Sequence, residues 1–314
     1  MRTGEMTTIE GARTGREGQI MVSAWESMQA DTYNTYQTNL PIRYHSVPGL
    51  FHRGFAQAVP GFTQDIFVPL VAANGNLARV RFFSPDEGGG SLSCVFPGVI
   101  EPGNPSGDSD GPMIESWIQG FRGTPVPRVS GEVWFCAELS DPSGINLLPY
   151  PGAQLALYVD DVPSDVSSYF TFDQGSAESG RLLVPLQSLS PGMHQLRLRA
   201  TDCLLNISWS EMEFEVLSNA GPVLERVWVY PNPSSDVAAF NWLQSGSGPV
   251  DIMVYTVAGR PVTAFRNLQG EAGYNQSIWD LHDADGDPVA SGAYVYTVTA
   301  GESSVTGVMA VVAN

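Results

Sequence analysis

Residues 279–298 read WDLHDADGDPVASGAYVYTV, and the period of this stretch decides the fold. Tyr294, Tyr296 and Val298 alternate with Val295, Thr297 and Thr299. Side chains two apart on a strand share a face, so the second half is a half-buried strand. Ahead of it, Asp283, Asp285, Gly286, Asp287 and Pro288 make a polar turn, and Trp279 and Asp280 close an earlier strand. Gly286 and Gly292 are expected to hold backbone conformations that a side chain resists.

The same period spreads outward from this stretch. Residues 220–314 contain VLERVWVY, DVAAFNW, PVDIMVYTV, RPVTAFRN, YNQSIWD, GAYVYTV and VTGVMAVV, short strands enough for one small sandwich. After the first of them, Pro231, Asn232 and Pro233 form a corner whose two prolines fix φ, marking an edge or a switch between sheets. Upstream, in residues 110–218, Met212, Phe214 and Val216 oppose Glu211, Glu213 and Glu215, and Leu196, Leu198 and Ala200 oppose Gln195, Arg197 and Arg199. QLALYVD, EVWFCAEL, PMIESWIQ and GRLLVPL complete an immunoglobulin-like count. Residues 1–105 give fewer strands: 18–27, 50–57, 65–68 and 77–84. There ADTYNTYQTNL reads as a loop, and a short helix over 24–33 competes with the first strand. EPGNPSGDSDGP, residues 101–112, is the linker between the first two regions. The expected fold is all-β, three β-sandwich, immunoglobulin-like domains in tandem over 1–105, 110–218 and 220–314.

Composition narrows the function classes. With 15 basic against 33 acidic residues the formal charge is −18, which repels nucleic acid. No run approaches the ~18 apolar residues of a membrane-spanning helix. The first residues, MRTGEMTTIEGARTGREG, have no apolar core, so no secretory signal peptide is expected here and an exported protein would need more chain than this. Cys94, Cys136 and Cys203 show no metal spacing; Cys136 and Cys203 are open to a disulfide or to buried thiols.

No catalytic constellation stands out. His45, His52, His194 and His282 lack a thiol or a second ligand pair in a recognisable pattern, and no HExxH or phosphate-cradling glycine loop occurs. No cofactor is expected. Calcium is weighed at two places. Asp283, Asp285 and Asp287 stand at the alternate positions that open a calcium loop, but the bidentate Glu of position 12 is replaced by Tyr294; a tight turn whose Asp side chains bond their own backbone is the stronger reading. Asp108 and Asp110 in the linker offer carboxylates too, where solvated linker is the stronger reading.

Two resemblances sharpen the picture. VYPNP (229–233), IMVYTVAGRPV (252–262) with its Gly259-Arg260 turn, and AGYNQSIWD followed by DGDPVASGAYVYTV resemble the FlgD-type immunoglobulin-like module. Its signature falls here on Pro231, Asn232, Pro233, Gly259, Arg260, Trp279, Asp280, Gly286, Gly292 and Tyr294. Related C-terminal modules act as sorting signals for type IX secretion. The closing VMAVVAN departs from them in lacking a basic residue. ELSDPSGIN (138–146), LALYVDD and GRLLVPLQSLSPGMHQLRLRATDCLLNIS look like the β-domain behind the catalytic domain of gingipain-type cysteine peptidases, PorU-like members in particular. LFHRGFAQAVPGFTQDIFVPL is similar to the segment between peptidase and sandwich in that family.

The resemblance implies the non-catalytic accessory and sorting portion of an exported cysteine peptidase, whose catalytic His and Cys are not in this chain. Its partners would be an upstream peptidase domain or the secretion machinery, and its location the extracellular space or outer-membrane surface. The competing reading is a surface adhesin or carbohydrate-binding module using Trp117, Trp134 or Tyr158.

Overall fold

A computed structural model describes residues 1–12, 18–26, 30–34, 41–45, 49–58, 61–72, 75, 77–84, 91–105, 107–150, 152–218 and 221–312. The chain is all-β; the one helical element among the described residues is a 3-10 turn at Ser167–Tyr169. Strands are numbered along the chain: β1 Met6–Ala12, β2 Gly18–Glu26, β3 Ala30–Asn34, β4 Pro41–His45, β5 Leu50–Ala58, β6 Gly61–Phe67, β7 Leu77–Ser84 and β8 Ser91–Val99. They form a four-stranded sheet of order β5-β2-β7-β8 and two antiparallel ribbons, β1-β6 and β3-β4.

Next come β9 Met113–Ile118, β10 Arg128–Val129, β11 Val133–Ser140, β12 Ala156–Val159, β13 Val162–Asp165, β14 Phe170–Phe172, β15 Ser179–Leu186, β16 Gly192–Thr201 and β17 Ile207–Val216. Their sheets run β10-β17-β16-β12-β13 and β14-β15-β11-β9. Last are β18 Leu224–Tyr230, β19 Ala238–Gln244, β20 Gly248–Thr256, β21 Pro261–Gly270, β22 Gly273–Trp279, β23 Gly292–Ala300 and β24 Ser303–Val311, in sheets β18-β19-β22 and β21-β20-β23-β24.

Three expectations change in the first hundred residues. ADTYNTYQTNL, expected as a loop, begins with β3, paired with β4 from Ala30↔His45 to Asn34↔Pro41, while residues 35–40 lie outside the described residues. The helix alternative over 24–33 gives way to β2 at 24–26 and β3 at 30–33, residues 27–29 lying outside the described residues. Three further strands not foreseen, β1, β4 and β8, are present. β8 carries Pro97 and Gly98, which read as turn residues. It lies at the edge of its sheet, and Pro97 falls where the pairing with β7 shifts register between Val80↔Val95 and Ala78↔Gly98, so no paired residue lacks its N–H.

Contacts divide the chain into two compact units. The first comprises Met1–Ser116, Cys136–Val184 and Gln195–Glu211; the second comprises Trp117–Phe135, Pro185–His194 and Met212–Asn314. In the first unit Val22, Phe51, Ile66, Val80 and Ile100 form a core that Leu148 joins from the loop after β11. At its β5 edge, Arg53 donates to Ser168 O (2.6 Å), the Gly175 N–H donates to Phe55 O (2.9 Å), and His52 stacks on Phe172 with centroids 4.6 Å apart.

In the second unit the alternation of the opening stretch becomes burial. Trp279, Tyr294, Tyr296 and Val298 lie in a core with Phe240, Trp242 and Ile252. Phe240 packs edge-on to Tyr296 at 5.4 Å, and Trp279 edge-on to Tyr294 at 6.0 Å, geometries that aromatic quadrupoles favour. Three of the polar tips find partners. Trp279 Nε1 donates to His282 O (2.8 Å), Tyr294 Oη to Ala290 O (2.7 Å) and Trp242 Nε1 to Gln244 Oε1 (2.8 Å). Also in this unit, Gly120 and Gly273, both with positive φ (87° and 93°), pack backbone to backbone so closely that a Cβ on Gly273 would stand 1.9 Å from Gly120 O.

Candidate functional site

The proline corner closes the last strand. Asn232 Oδ1 accepts the Ala310 N–H (2.9 Å), the Ser234 N–H donates to Ala310 O (2.9 Å), and the Val312 N–H donates to Ser234 O (2.8 Å). Pro231 and Pro233 have no N–H of their own to leave unpaired; the corner therefore presents acceptors and selected donors to the β24 edge. An open edge templates pairing with other chains, and here it is covered. Gly259, at φ 81°, turns β20 into β21. Its N–H donates to Thr256 O, and the Thr256 N–H donates to Arg260 O, both at 2.9 Å; Arg260 itself is exposed.

Asp280 is exposed and accepts the His282 N–H through Oδ1 (3.2 Å), while His282 Nδ1 lies 2.9 Å from Asp280 O. In the acidic turn, Asp283 Oδ1 accepts the N–H groups of both Asp285 and Asp287, each at 3.0 Å, and Gly286, with φ 89°, donates to Asp283 O. Asp285 and Asp287 point to solvent. Gly286 has the left-handed conformation expected of it, whereas Gly292 does not: its φ is ordinary and open space surrounds it.

Carboxylates converge elsewhere. Among the described residues, Asp108, Asp141 and Asp202 bring ligand oxygens within 4.8 Å of one another. Ser143 ties two of them together, its Oγ donating to Asp108 Oδ2 (2.6 Å) and its N–H to Asp141 Oδ1 (2.7 Å). Asn206 holds the third, its N–H and Nδ2 donating to Asp202 Oδ1 and Oδ2 at 2.7 and 2.8 Å. Burial, then the neighbouring carboxylates, push Asp141 up to about 6, and burial raises Asp202; the Ser143 hydroxyl lowers Asp108. Sequence reading weighed Asp108 only with Asp110, whose N–H donates to Asp108 Oδ1. The D-x-S-G-I-N turn and the Asp after the β16 strand were the available signal. Oxygen-only sets of this kind suit hard cations.

Two of the histidines, His52 and His194, are buried. His52 is fully buried with neither ring nitrogen bonded, and desolvation lowers it to about 3. His194 Nε2 lies 2.7 Å from Ser190 O, with the ring stacked on Phe214. The side chain of His45 lies outside the described residues, as does that of Cys94. Cys136 and Cys203 are buried free thiols.

Of the aromatics weighed for glycan contact, Trp117 is half-buried beneath Arg122 (4.2 Å), Trp134 is half-buried, and Tyr158 tilts against the exposed Trp209 at 5.5 Å. A larger aromatic set, the half-buried Trp228 with the exposed Tyr230 and Tyr274, lies on β18 and β22. Sequence reading passed over it, since Trp228 was counted only as part of a strand. No helix among the described residues is long and apolar enough to cross a membrane.

No curated protein matches the chain. Among solved structures, the dimeric latent PorU from Porphyromonas gingivalis is similar at 21% identity and a TM-score of 0.39 over 100% of this chain, which spans 32% of that one. A three-domain fragment of titin, I67–I69, is similar at 13% identity and a TM-score of 0.23, covering 100% of this chain and 94% of its own. A β-glucuronidase from Parabacteroides merdae is similar at 13% and 0.25 over 64% of this chain and 24% of its own. Residues 228–311, from Trp228 in β18 to the last residue of β24, match the family model of the secretion system C-terminal sorting domain.

Proposed function

We propose that this chain is the non-catalytic accessory and sorting portion of an exported gingipain-like cysteine peptidase, its final sandwich being the tail read by the type IX machinery. The observation that carries the reading is the sorting-domain match over 228–311, which coincides with the sandwich whose last strand is closed by the Asn232 corner. In this reading the three sandwich regions, divided near residues 105 and 218, buttress a peptidase domain that supplies the catalytic Cys and His. The protein works at the cell surface or outside it.

The test uses a type IX-competent host and the full chain behind an inner-membrane export signal. The full chain is expected at the cell surface or in the medium, and the same chain without residues 228–311 in the periplasm. Periplasmic retention of both would overturn the sorting role. Purified chain is expected to leave Arg- and Lys-containing peptides intact; hydrolysis abolished by Cys136→Ala or Cys203→Ala would overturn the non-catalytic role.

A further inference from the structure

The geometry points to a binding site for neutral pyranose glycans on the outer face of the β18-β19-β22 sheet. This goes beyond the sorting role and does not depend on it. The register defines the face. Trp228 stands opposite Asn241 and Asn241 opposite Gln276; in the next row Arg226 stands opposite Leu243 and Leu243 opposite Tyr274; on the other side Tyr230 stands opposite Ala239. Alternate residues of a strand share one face, so these side chains form a single lattice.

Its chemistry is a polar strip framed by rings. The Trp228 and Tyr274 rings lie 6.0 Å apart with 39° between their planes, and Tyr274 and Tyr230 are 55% and 72% exposed. Between the rings, Tyr274 Oη donates to Asn241 Oδ1 (2.7 Å), and Gln276 Nε2 donates to Asn241 Oδ1 (2.9 Å) and reaches Tyr274 Oη (3.2 Å). Asn241 Nδ2 is spent on Ala239 O (2.8 Å), which fixes the direction of its carboxamide. These bonds use both Gln276 N–H groups and leave its carbonyl to accept from an outside partner. Arg226 lies over Trp228 at 4.9 Å, with its own donors at the rim.

Four kinds of occupant can be compared on these observations. A polyanion is repelled by a chain of charge −18. A cation finds no carboxylate at these positions. An apolar helix or strand would cover the Gln276 amide without replacing its water, leaving a buried polar group unpaired. A neutral sugar ring has an apolar C–H face for an aromatic ring and equatorial hydroxyls that both donate and accept; it matches both halves of the lattice at once.

The test is affinity electrophoresis of the full chain in native gels containing laminarin, xyloglucan or galactomannan, with alginate as the anionic control. The expected result is retardation in at least one neutral gel and none in alginate. Trp228→Ala, Tyr274→Ala and Gln276→Leu should each weaken the retardation by about tenfold or more, equivalent to ~1.4 kcal/mol. Trp209→Ala, on a different sheet, should leave it unchanged. Melting temperatures verify folding; Tyr274→Ala and Gln276→Leu alter exposed side chains and serve if Trp228→Ala does not fold. No retardation in any neutral gel, retardation in alginate alone, or retardation that Trp209→Ala removes and Tyr274→Ala and Gln276→Leu do not, overturns the proposal.

Discussion

Buried polar groups are treated differently at the two ends of this chain. In residues 221–312, Trp242, Trp279, Asn241 and Tyr294 all carry polar atoms into or beside the core, and each is bonded. In the first unit, His52, Gln64, Thr201 and Ser167 bury polar atoms with no partner, and Asp141 and Asp202 bury carboxylates beside a third. Every unpartnered buried polar atom among the described residues belongs to that first unit. A buried polar group without a partner costs about 1–3 kcal/mol. The terminal sandwich is thus held together by its own bonds, whereas the first unit carries buried groups whose cost changes with pH.

The largest expected effect breaks the well-satisfied end. Trp279→Ala removes a fully buried ring that packs on Tyr294 and Phe240, and should lower the stability of the terminal sandwich by about 3–5 kcal/mol in urea titrations. A loss below 1 kcal/mol would mean that the core does not depend on this aromatic cluster.

Next come two substitutions in the first unit with opposite pH dependence. The folded-state pKa of His52, about 3, lies below its unfolded value of 6.5, so the unfolded state takes up the proton first. Stability is therefore lost as pH falls from 6.5 toward 3. His52→Phe should remove that slope and gain about 2–3 kcal/mol near pH 4.5, where the wild-type difference is two units. An unchanged acid slope in thermal melts would exclude His52 as its source.

Asp141 behaves in the other sense, because burial raises its folded-state value to about 6, above the ordinary 3.8 of an aspartate. Its ionised form is penalised at neutral pH, and the penalty disappears as pH falls through 6 toward 4. Asp141→Asn should stabilise by about 1–2 kcal/mol at pH 7 and by nothing below pH 4. A destabilised variant at pH 7 would show that the carboxylate cluster needs its charge.

The smallest effect is at the proline corner. Asn232→Ala removes the acceptor of the Ala310 N–H, and about 1 kcal/mol should be lost. The uncovered β24 edge should also raise light scattering on storage.

Part of this was legible in the residues. Trp279, Tyr294 and Val298 announce a buried face because alternation is a local property, written into neighbouring positions. Asp283 likewise announces its own turn, since an Asx side chain bonds the backbone two residues on. β8 was not legible: Pro97 and Gly98 carry turn signals, and only its position at a sheet edge makes them acceptable in a strand. The Asp108, Asp141 and Asp202 cluster was equally hidden, for its members lie on the linker, the turn after β11 and the end of β16.

The sequence alone determined the all-β class, the strand faces and the turns of the terminal module, because each depends on contacts within a few residues. Tertiary structure alone decided which polar groups lost their water. His52 became an orphan because β5 packs against Phe172, and Trp228, Asn241 and Tyr274 became one surface because β19 pairs with both β18 and β22. Register and loop path set those meetings, and neither is a property of any single stretch of chain.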